Sequence, residues 1–324
     1  MNTRPRILLT RRWPEGVERH LAERYEVTLN DSDTPLTVAQ LIVAMRGHDV
    51  LCPTVTDAIT AEVIEAPGRR VRLIGNFGVG FNHIDIAAAK RAGVRVSNTP
   101  DVLTDATADL ALLLLLMATR RAGEGERELR AGRWTGWRPT HLMGLGIAGR
   151  TLGLIGYGRI AQATARRAQR AFGMRVVYNS RNRATSQVEA ECGAQYVDSV
   201  DALLGMSDVV SLHCPGGAET HHLIDARRLA LMKPSAVLVN TARGTVVDEA
   251  ALADALATRR IAAAGLDVYE REPVVNAALL GLENVVLLPH LGSATLDTRT
   301  AMGMRVAENL DAWFDGATLR DPVA

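Results

Sequence analysis

Gly153-Leu-Ile-Gly156-Tyr-Gly158-Arg-Ile-Ala161 decides the fold of this chain because of what stands on either side of it. Before it, residues 150–155 read as a short buried parallel strand. After it, residues 160–172 carry Ala and Arg at helical spacing and stop at Gly173, a residue suited to a left-handed helix cap. Residues 175–178 then read as a second strand. In such a strand, glycine turn, helix and strand unit, Gly156 permits the tight turn. Gly158 lets backbone N–H groups approach a pyrophosphate at the helix N-terminus. Ala161 stands at the third glycine position and still allows the helix to pack closely on the strand. A loop needing glycine only for its own geometry would not require these flanks, and their presence points to a dinucleotide.

The residues just past the second strand bear on which dinucleotide binds. Sites that prefer NAD place an Asp or Glu about 20 residues beyond the turn, where it accepts from the ribose hydroxyls and repels a 2′-phosphate. This chain has Asn179-Ser180-Arg181-Asn182-Arg183 there. A hydroxyl and two guanidiniums without a carboxylate suit the extra phosphate of NADP. NADP(H) is therefore expected in preference to NAD(H), the competing reading being a basic, solvated loop.

The turn lies near the middle of 324 residues, so a folded segment precedes it, and the length suggests two domains. Strand candidates recur at 6–9, 27–29, 49–51, 73–75 and 95–96, with helical stretches such as 17–24 between them. After the turn they recur at 175–178, 209–212, 236–240, 263–266 and 285–288. This alternation predicts an α/β protein of two doubly wound, parallel-sheet, Rossmann-like domains. The cofactor is expected at the carboxyl ends of the second sheet, across a cleft from the first. A helix at 298–315 is expected to return to the first domain. The cofactor domain, 100–289, is then an insertion in a flavodoxin-like substrate domain made of 1–99 and 290–324.

Bulk properties narrow the function. A net charge of +1 gives no reason to expect a nucleic-acid or membrane partner. Cys52, Cys192 and Cys214 are too few and scattered for a disulfide framework or a zinc site, and no metal is expected. The first ten residues read as a strand rather than a signal peptide, and the cytoplasm is the expected compartment. The apolar run 110–118 is too short to cross a bilayer and reads as a buried core or interface helix. As an interface helix it would make the protein a homodimer.

Reduction of a ketone by hydride needs a proton donor and an electropositive group that orients the substrate. Arg243, directly after a strand in Asn240-Thr-Ala-Arg-Gly-Thr245, is placed to bind a carboxylate and the reacting carbonyl. Glu272 follows another strand end, and His290 follows the apolar run 285–289. A lone His after a strand is ordinarily a loop residue. An ionised Glu beside imidazole favours the charged form and makes a proton donor of the pair.

With these residues in view, the chain resembles the D-isomer-specific 2-hydroxyacid dehydrogenases from Ile7 to about Trp313. The resemblance rests on collinear motifs: Asn76-Phe-Gly78-Val-Gly80-Phe-Asn-His-Ile-Asp85, Asn98-Thr-Pro100, the glycine turn, His213-Cys-Pro215, Asn240-Thr-Ala-Arg-Gly244, Asp267-Val-Tyr-Glu-Arg-Glu-Pro273 and Pro289-His-Leu-Gly292. It implies that His290 is the general acid in reduction, that Glu272 holds it, and that Arg243 binds the 2-oxo acid. It implies that the N–H groups of Val79 and Gly80 hold the substrate carboxylate. Thr104, Arg159, Ile160, Cys214, Pro215, Thr220, Thr241, Ala242 and Asp267 match cofactor contacts, Asp267 facing the nicotinamide carboxamide. Gly216-Gly217-Ala218 departs from the bulkier residues of relatives.

Within the family the Asn-Ser-Arg loop and Leu291-Gly-Ser-Ala-Thr295 are most similar to the glyoxylate and hydroxypyruvate reductases. Trp137 matches an aromatic that in those enzymes reaches the partner subunit's site, with ordinary interface packing as the equal alternative. The few residues after Trp313 argue against the long form of phosphoglycerate dehydrogenase, and Glu272 against formate dehydrogenase. A larger 2-oxo acid, a phosphite dehydrogenase sharing Arg243, Glu272 and His290, and a nucleotide-sensing corepressor-like binding protein are the alternatives.

Overall fold

The computed structural model describes residues 4–324, which separate into two compact units. One ends at Leu103 and resumes over Ala294–Ala324; the other is Thr104–Ser293. Both transitions fall four residues beyond the expected divisions at 99/100 and 289/290. His290 consequently belongs to the second unit, and the physical reason is local. Its N–H donates to the Asp267 carbonyl at 2.9 Å, and the next two amides bond to the Asp267 carboxylate.

The first unit is a five-stranded parallel sheet, β1 (Arg6–Leu9), β2 (Glu26–Leu29), β3 (Val50–Cys52), β4 (Leu73–Gly75) and β5 (Arg95–Ser97), in the order β2-β1-β3-β4-β5. The inner strands are apolar on both faces because helices cover both, as parallel sheets require. On one face Ile7, Leu9 and Val50 pack with Val17, Leu21, Val306 and Leu310. On the other, Leu8, Leu51 and Ile74 pack with Leu41, Met45, Val63 and Ala88. The helix Leu296–Phe314 therefore closes this unit, and Gly303 is what admits it: a Cβ there would lie 2.7 Å from Val17 Cγ1.

The second unit has seven parallel strands: β6 (Thr151–Ile155), β7 (Arg175–Asn179), β8 (Gln195–Tyr196), β9 (Val209–Leu212), β10 (Val237–Asn240), β11 (Ala263–Leu266) and β12 (Val285–Leu287). Their order, β12-β11-β10-β9-β6-β7-β8, reverses direction between β6 and β9. That reversal puts the glycine turn at the switch point where open α/β sheets bind ligands. β8 was not among the expected strands, being an edge pair of residues too short to show a period.

The apolar helix Thr104–Thr119 lies on β10 and β11, where Ala111, Leu114, Leu115 and Ala118 are buried. A Cβ on Gly265 would stand 2.9 Å from Leu114 Cβ, so helix and sheet pack without a gap. Most of the run that suggested a subunit interface is thus consumed by its own core. Leu113 remains exposed, as do Trp134, Trp137 and Met143 on the connection before β6. No helix among the described residues is long and apolar enough to cross a membrane.

Candidate active site

Three strand ends grip the glycine turn. Gly156 adopts φ 86°, and a Cβ there would lie 2.7 Å from the Cys214 nitrogen, so the close approach and the left-handed backbone both demand glycine. Its N–H donates to the Asn179 carbonyl at 2.8 Å, and His213 N–H donates to Ile155 at 2.8 Å. Gly158 caps the helix Arg159–Phe172 with no side-chain bond to the first turn, and the space a Cβ would take there is open. A 14-residue helix thus presents its first N–H groups and its positive end to an open site, which suits a pyrophosphate. Ala161, fully buried, packs beneath.

The remaining expected cofactor contacts are distributed around this turn. Thr241 carries a buried hydroxyl with no protein partner, an unsatisfied group suited to a ligand. Cys214 is buried, and burial pushes its thiol up to about 11, so it offers packing and not a thiolate. Thr220 donates to the Pro215 carbonyl at 2.7 Å and shapes the loop after β9. Thr104 opens its helix half-buried, and Ile160, also half-buried, is the second residue of the helix Arg159–Phe172; Ala242 N–H bonds to Asn240 Oδ1 at 3.0 Å. These observations fit a dinucleotide bound over the ends of β6, β9 and β10.

The basic loop is less free than its sequence suggests. Arg183 forks onto Glu189 at 2.9 and 3.0 Å. Glu189 also accepts from Tyr178 Oη at 2.6 Å, and these two donors hold its carboxyl down to about 2. The Asn179 side chain donates to the Val197 carbonyl at 2.8 Å, and Ser180 Oγ to the Asn182 carbonyl at 2.5 Å. Both guanidiniums are exposed, but Arg181 makes only a long 3.5 Å contact to Glu219, whereas Arg183 is held by its paired carboxylate. Two available guanidiniums become one, because a carboxylate six residues further on, Glu189, folds back on Arg183.

Arg243, Glu272 and His290 follow the neighbouring strands β10, β11 and β12. Asn240 closes the first loop through Ala242 N–H and by donating to the Arg243 carbonyl at 2.9 Å. Gly244 lies so close to the Tyr269–Glu270 backbone that any side chain would overlap it, which fastens the Arg243 loop to the Glu272 loop. The unexpected Gly216 also has a reason here: a Cβ would stand 3.0 Å from Arg243 Cγ. Burial lowers the Arg243 pKa, and the Glu272 charge opposes that shift.

His290 Nδ1 lies 2.7 Å from Glu272 Oε2, while Glu272 Oε1 accepts from Tyr269 N–H at 3.0 Å. Burial raises the Glu272 pKa, but the hydrogen bond and charge of His290, Tyr269 N–H and Arg243 outweigh it and leave the carboxyl below its usual range. An ionised Glu272 accepts a proton-bearing Nδ1, so Nε2 is the ring atom turned to other chemistry. His290 is held at φ 55°, a left-handed backbone unusual for a side chain of this size. Asp267, almost fully buried, sustains it: Oδ1 accepts from Leu291 N–H at 2.6 Å and Oδ2 from Gly292 N–H at 2.8 Å. Burial raises the Asp267 pKa against these two amides and the His290 charge. Tyr269, whose hydroxyl donates to the Leu288 carbonyl at 2.9 Å, ties β11 to the same segment. Asn240 and Tyr269 were not among the expected site residues, although both stand inside the Asn240–Gly244 and Asp267–Pro273 motifs.

In the first unit, Asn76 donates to the carbonyls of Gly78 and Gly80 at 2.9 and 3.1 Å, and Asn98 donates to that of Val79 at 2.8 Å. With its carbonyls so engaged, the loop presents the amides of Val79 and Gly80, which have no protein acceptor among the described residues. Such amides suit a carboxylate. Trp137 is 82 % exposed and packs on nothing in its own unit's core.

The chain is similar to several known proteins. The family model for the D-isomer specific 2-hydroxyacid dehydrogenase NAD binding domain matches residues 112–292. Glyoxylate reductase of Thermococcus onnurineus is 45% identical over 97% of this chain and 94% of its own length. An NADPH-dependent glyoxylate/hydroxypyruvate reductase of Sinorhizobium meliloti, solved with NADP and malonate, is similar at 38% identity and TM-score 0.88, over 99% of this chain and 97% of that one. D-mandelate dehydrogenase of Rhodotorula graminis is similar at 31% identity and TM-score 0.87, over 99% and 98%.

Proposed function

Since this chain belongs to the D-isomer specific 2-hydroxyacid dehydrogenase family, we propose that it reduces glyoxylate and hydroxypyruvate to the D-2-hydroxy acids, with NADPH preferred to NADH. It is an NAD(P)-dependent oxidoreductase acting on a 2-oxo acid. When bound, a dihydronicotinamide would supply the hydride for the reduction. As the carbonyl π bond opens, His290 Nε2 delivers the proton to its oxygen, and the ionised Glu272 stabilises the imidazolium through Nδ1 until then. Arg243 orients the 2-oxo acid by its carboxylate and draws charge toward the reacting oxygen. In the first unit, the amides of Val79 and Gly80 suit a carboxylate as well. The single observation carrying this reading is the 2.7 Å contact of His290 Nδ1 with Glu272, which leaves Nε2 as the ring nitrogen open to a substrate and so supports it. Names of relatives support the small substrates.

Initial rates of NADPH and NADH oxidation with glyoxylate, hydroxypyruvate and pyruvate, and of the reverse reaction with phosphite, test the assignment. The expected outcome is fast NADPH turnover with the two smaller acids, and a loss of at least about 10²-fold in kcat for His290→Gln with cofactor affinity unchanged. Near-normal turnover by that variant removes His290 as the acid. Turnover of phosphite alone moves the chain to an inorganic substrate.

A further inference from the structure

Outside the residues assigned above, one cluster in the second unit has chemistry without a use. His221 and His222 follow the short turn Ala218–Thr220, with their rings stacked at 4.0 Å and 24°. His222 Nε2 lies 2.6 Å from Glu270 Oε1, and one ligand atom from each of the three residues lies within 4.8 Å of the others. We infer that His221, His222 and Glu270 form a binding site for a divalent d-block cation of the zinc type, with water in the fourth position.

The donor set favours this class of ion. Two neutral imidazoles and one carboxylate suit Zn²⁺, Co²⁺ or Ni²⁺, whereas Mg²⁺ and Ca²⁺ prefer oxygen alone. An ion pair between His222 and Glu270 accounts for two of the residues only. His221, exposed beside them, has no hydrogen-bond partner among the described residues, and it is the third donor.

The backbone beneath is held while the side chains can move. His222 N–H donates to the Thr245 carbonyl at 2.8 Å, and Glu270 N–H donates to Glu249 Oε1 at 2.6 Å. The close approach of Gly244 to Glu270 fastens these segments to each other. With bonds of about 2.0–2.1 Å, a tetrahedral ion sets its donors roughly 3.3 Å apart. The His222–Glu270 contact must open slightly and the exposed His221 ring must swing in, both by side-chain rotation. Asp248 Oδ2, 4.0 Å from His222 Nδ1, stands on the far side of that ring. Metal-bound histidines are commonly oriented by a carboxylate placed there.

The test is titration of the full-length protein with Zn²⁺ by calorimetry and with Co²⁺ by its visible ligand-field bands, after stripping with a chelator. Wild type should take up one equivalent. His221→Ala and Glu270→Gln should each weaken binding by at least ~10-fold. His141→Gln, which removes the separate His141–Glu128 pair, should leave binding unchanged. Thermal midpoints measured in chelator, unchanged among the variants, show that each is folded. Absence of saturable one-equivalent uptake overturns the inference, and so does wild-type affinity in both His221→Ala and Glu270→Gln. Loss of uptake in His141→Gln alone moves the ion elsewhere and overturns it equally.

Discussion

Replacing Asp267 by Asn separates two roles for one buried carboxylate. The exchange conserves shape, so no cavity forms, but one of the two amides at 2.6 and 2.8 Å must then face an NH₂ group. A hydrogen bond to a charged group contributes about 1.5–3 kcal/mol, and a buried N–H left unpaired costs about 1–3. Relief of a buried charge, whose cost is visible in the raised pKa of Asp267, offsets part of that loss. A net weakening of about 2 kcal/mol remains. It falls on a segment that holds His290 at φ 55°, a backbone that itself costs about 1–2 kcal/mol. The two energies are comparable, so His290 should spend much of its time out of position. We expect kcat to fall by about 10- to 30-fold, since each 1.4 kcal/mol is a factor of ten. Urea unfolding should show a comparable loss of stability, while the dissociation constant for NADPH, from fluorescence titration, should change by less than about threefold. Wild-type kcat and stability together with a large loss of NADPH affinity would refute the clamp and leave Asp267 as a carboxamide contact.

Three further outcomes follow from particular side chains. Arg181→Ala should weaken NADPH much more than NADH, because this guanidinium is exposed and only loosely engaged. Arg183→Ala should lower the melting temperature through Glu189 and affect both cofactors alike. Equal losses for the two cofactors in Arg181→Ala would discard the phosphate reading, and measured dissociation constants decide it. Burial lowers the pKa of His213 from 6.5 to about 4, with Ser211 Oγ 2.9 Å from Nε2. The folded ring stays neutral while the unfolded chain takes up a proton. This contribution to stability is therefore complete above pH 6.5 and lost as pH falls toward 4, by at most about 1.4 kcal/mol per pH unit. Urea midpoints of His213→Gln should decline less steeply than those of wild type across that window; identical slopes would show that His213 does not set it.

The two sheets were legible because buried parallel strands appear as short apolar runs bounded by turns, and those runs repeat along this chain. Ile7-Leu-Leu9, Val209-Val-Ser-Leu212 and Ala263-Ala-Gly-Leu266 are such runs, and all are strands. A two-residue edge strand such as β8 has no period to read. The run 110–118 was ambiguous for a different reason. An apolar helix buried by its own sheet and one buried by a partner have the same composition, and contacts such as that of Gly265 with Leu114 separate them. The basic loop misled by counting charges. Whether Arg183 is available depends on Glu189, which reaches it only once the helix Ser186–Ala190 turns back toward β7.

Arg243, Glu272 and His290 were legible as a group because sheet order makes near neighbours of distant positions. β10, β11 and β12 lie side by side, roughly 4.8 Å apart, with their carboxyl ends on one edge. Each strand therefore delivers one residue to the same edge, whatever the length of the intervening helix. Motif spacing could not carry the backbone conformation that aims them. The left-handed turn at His290 needs an acceptor for each amide that follows it, and Asp267 at the end of β11 provides both oxygens. The carboxylate at the end of β11 thus fixes the backbone on which the His290 ring is carried. A change at Asp267 should disturb catalysis before it disturbs binding, since the glycine turn at Gly156 and Gly158 follows β6, two strands beyond β10, and shares none of these hydrogen bonds.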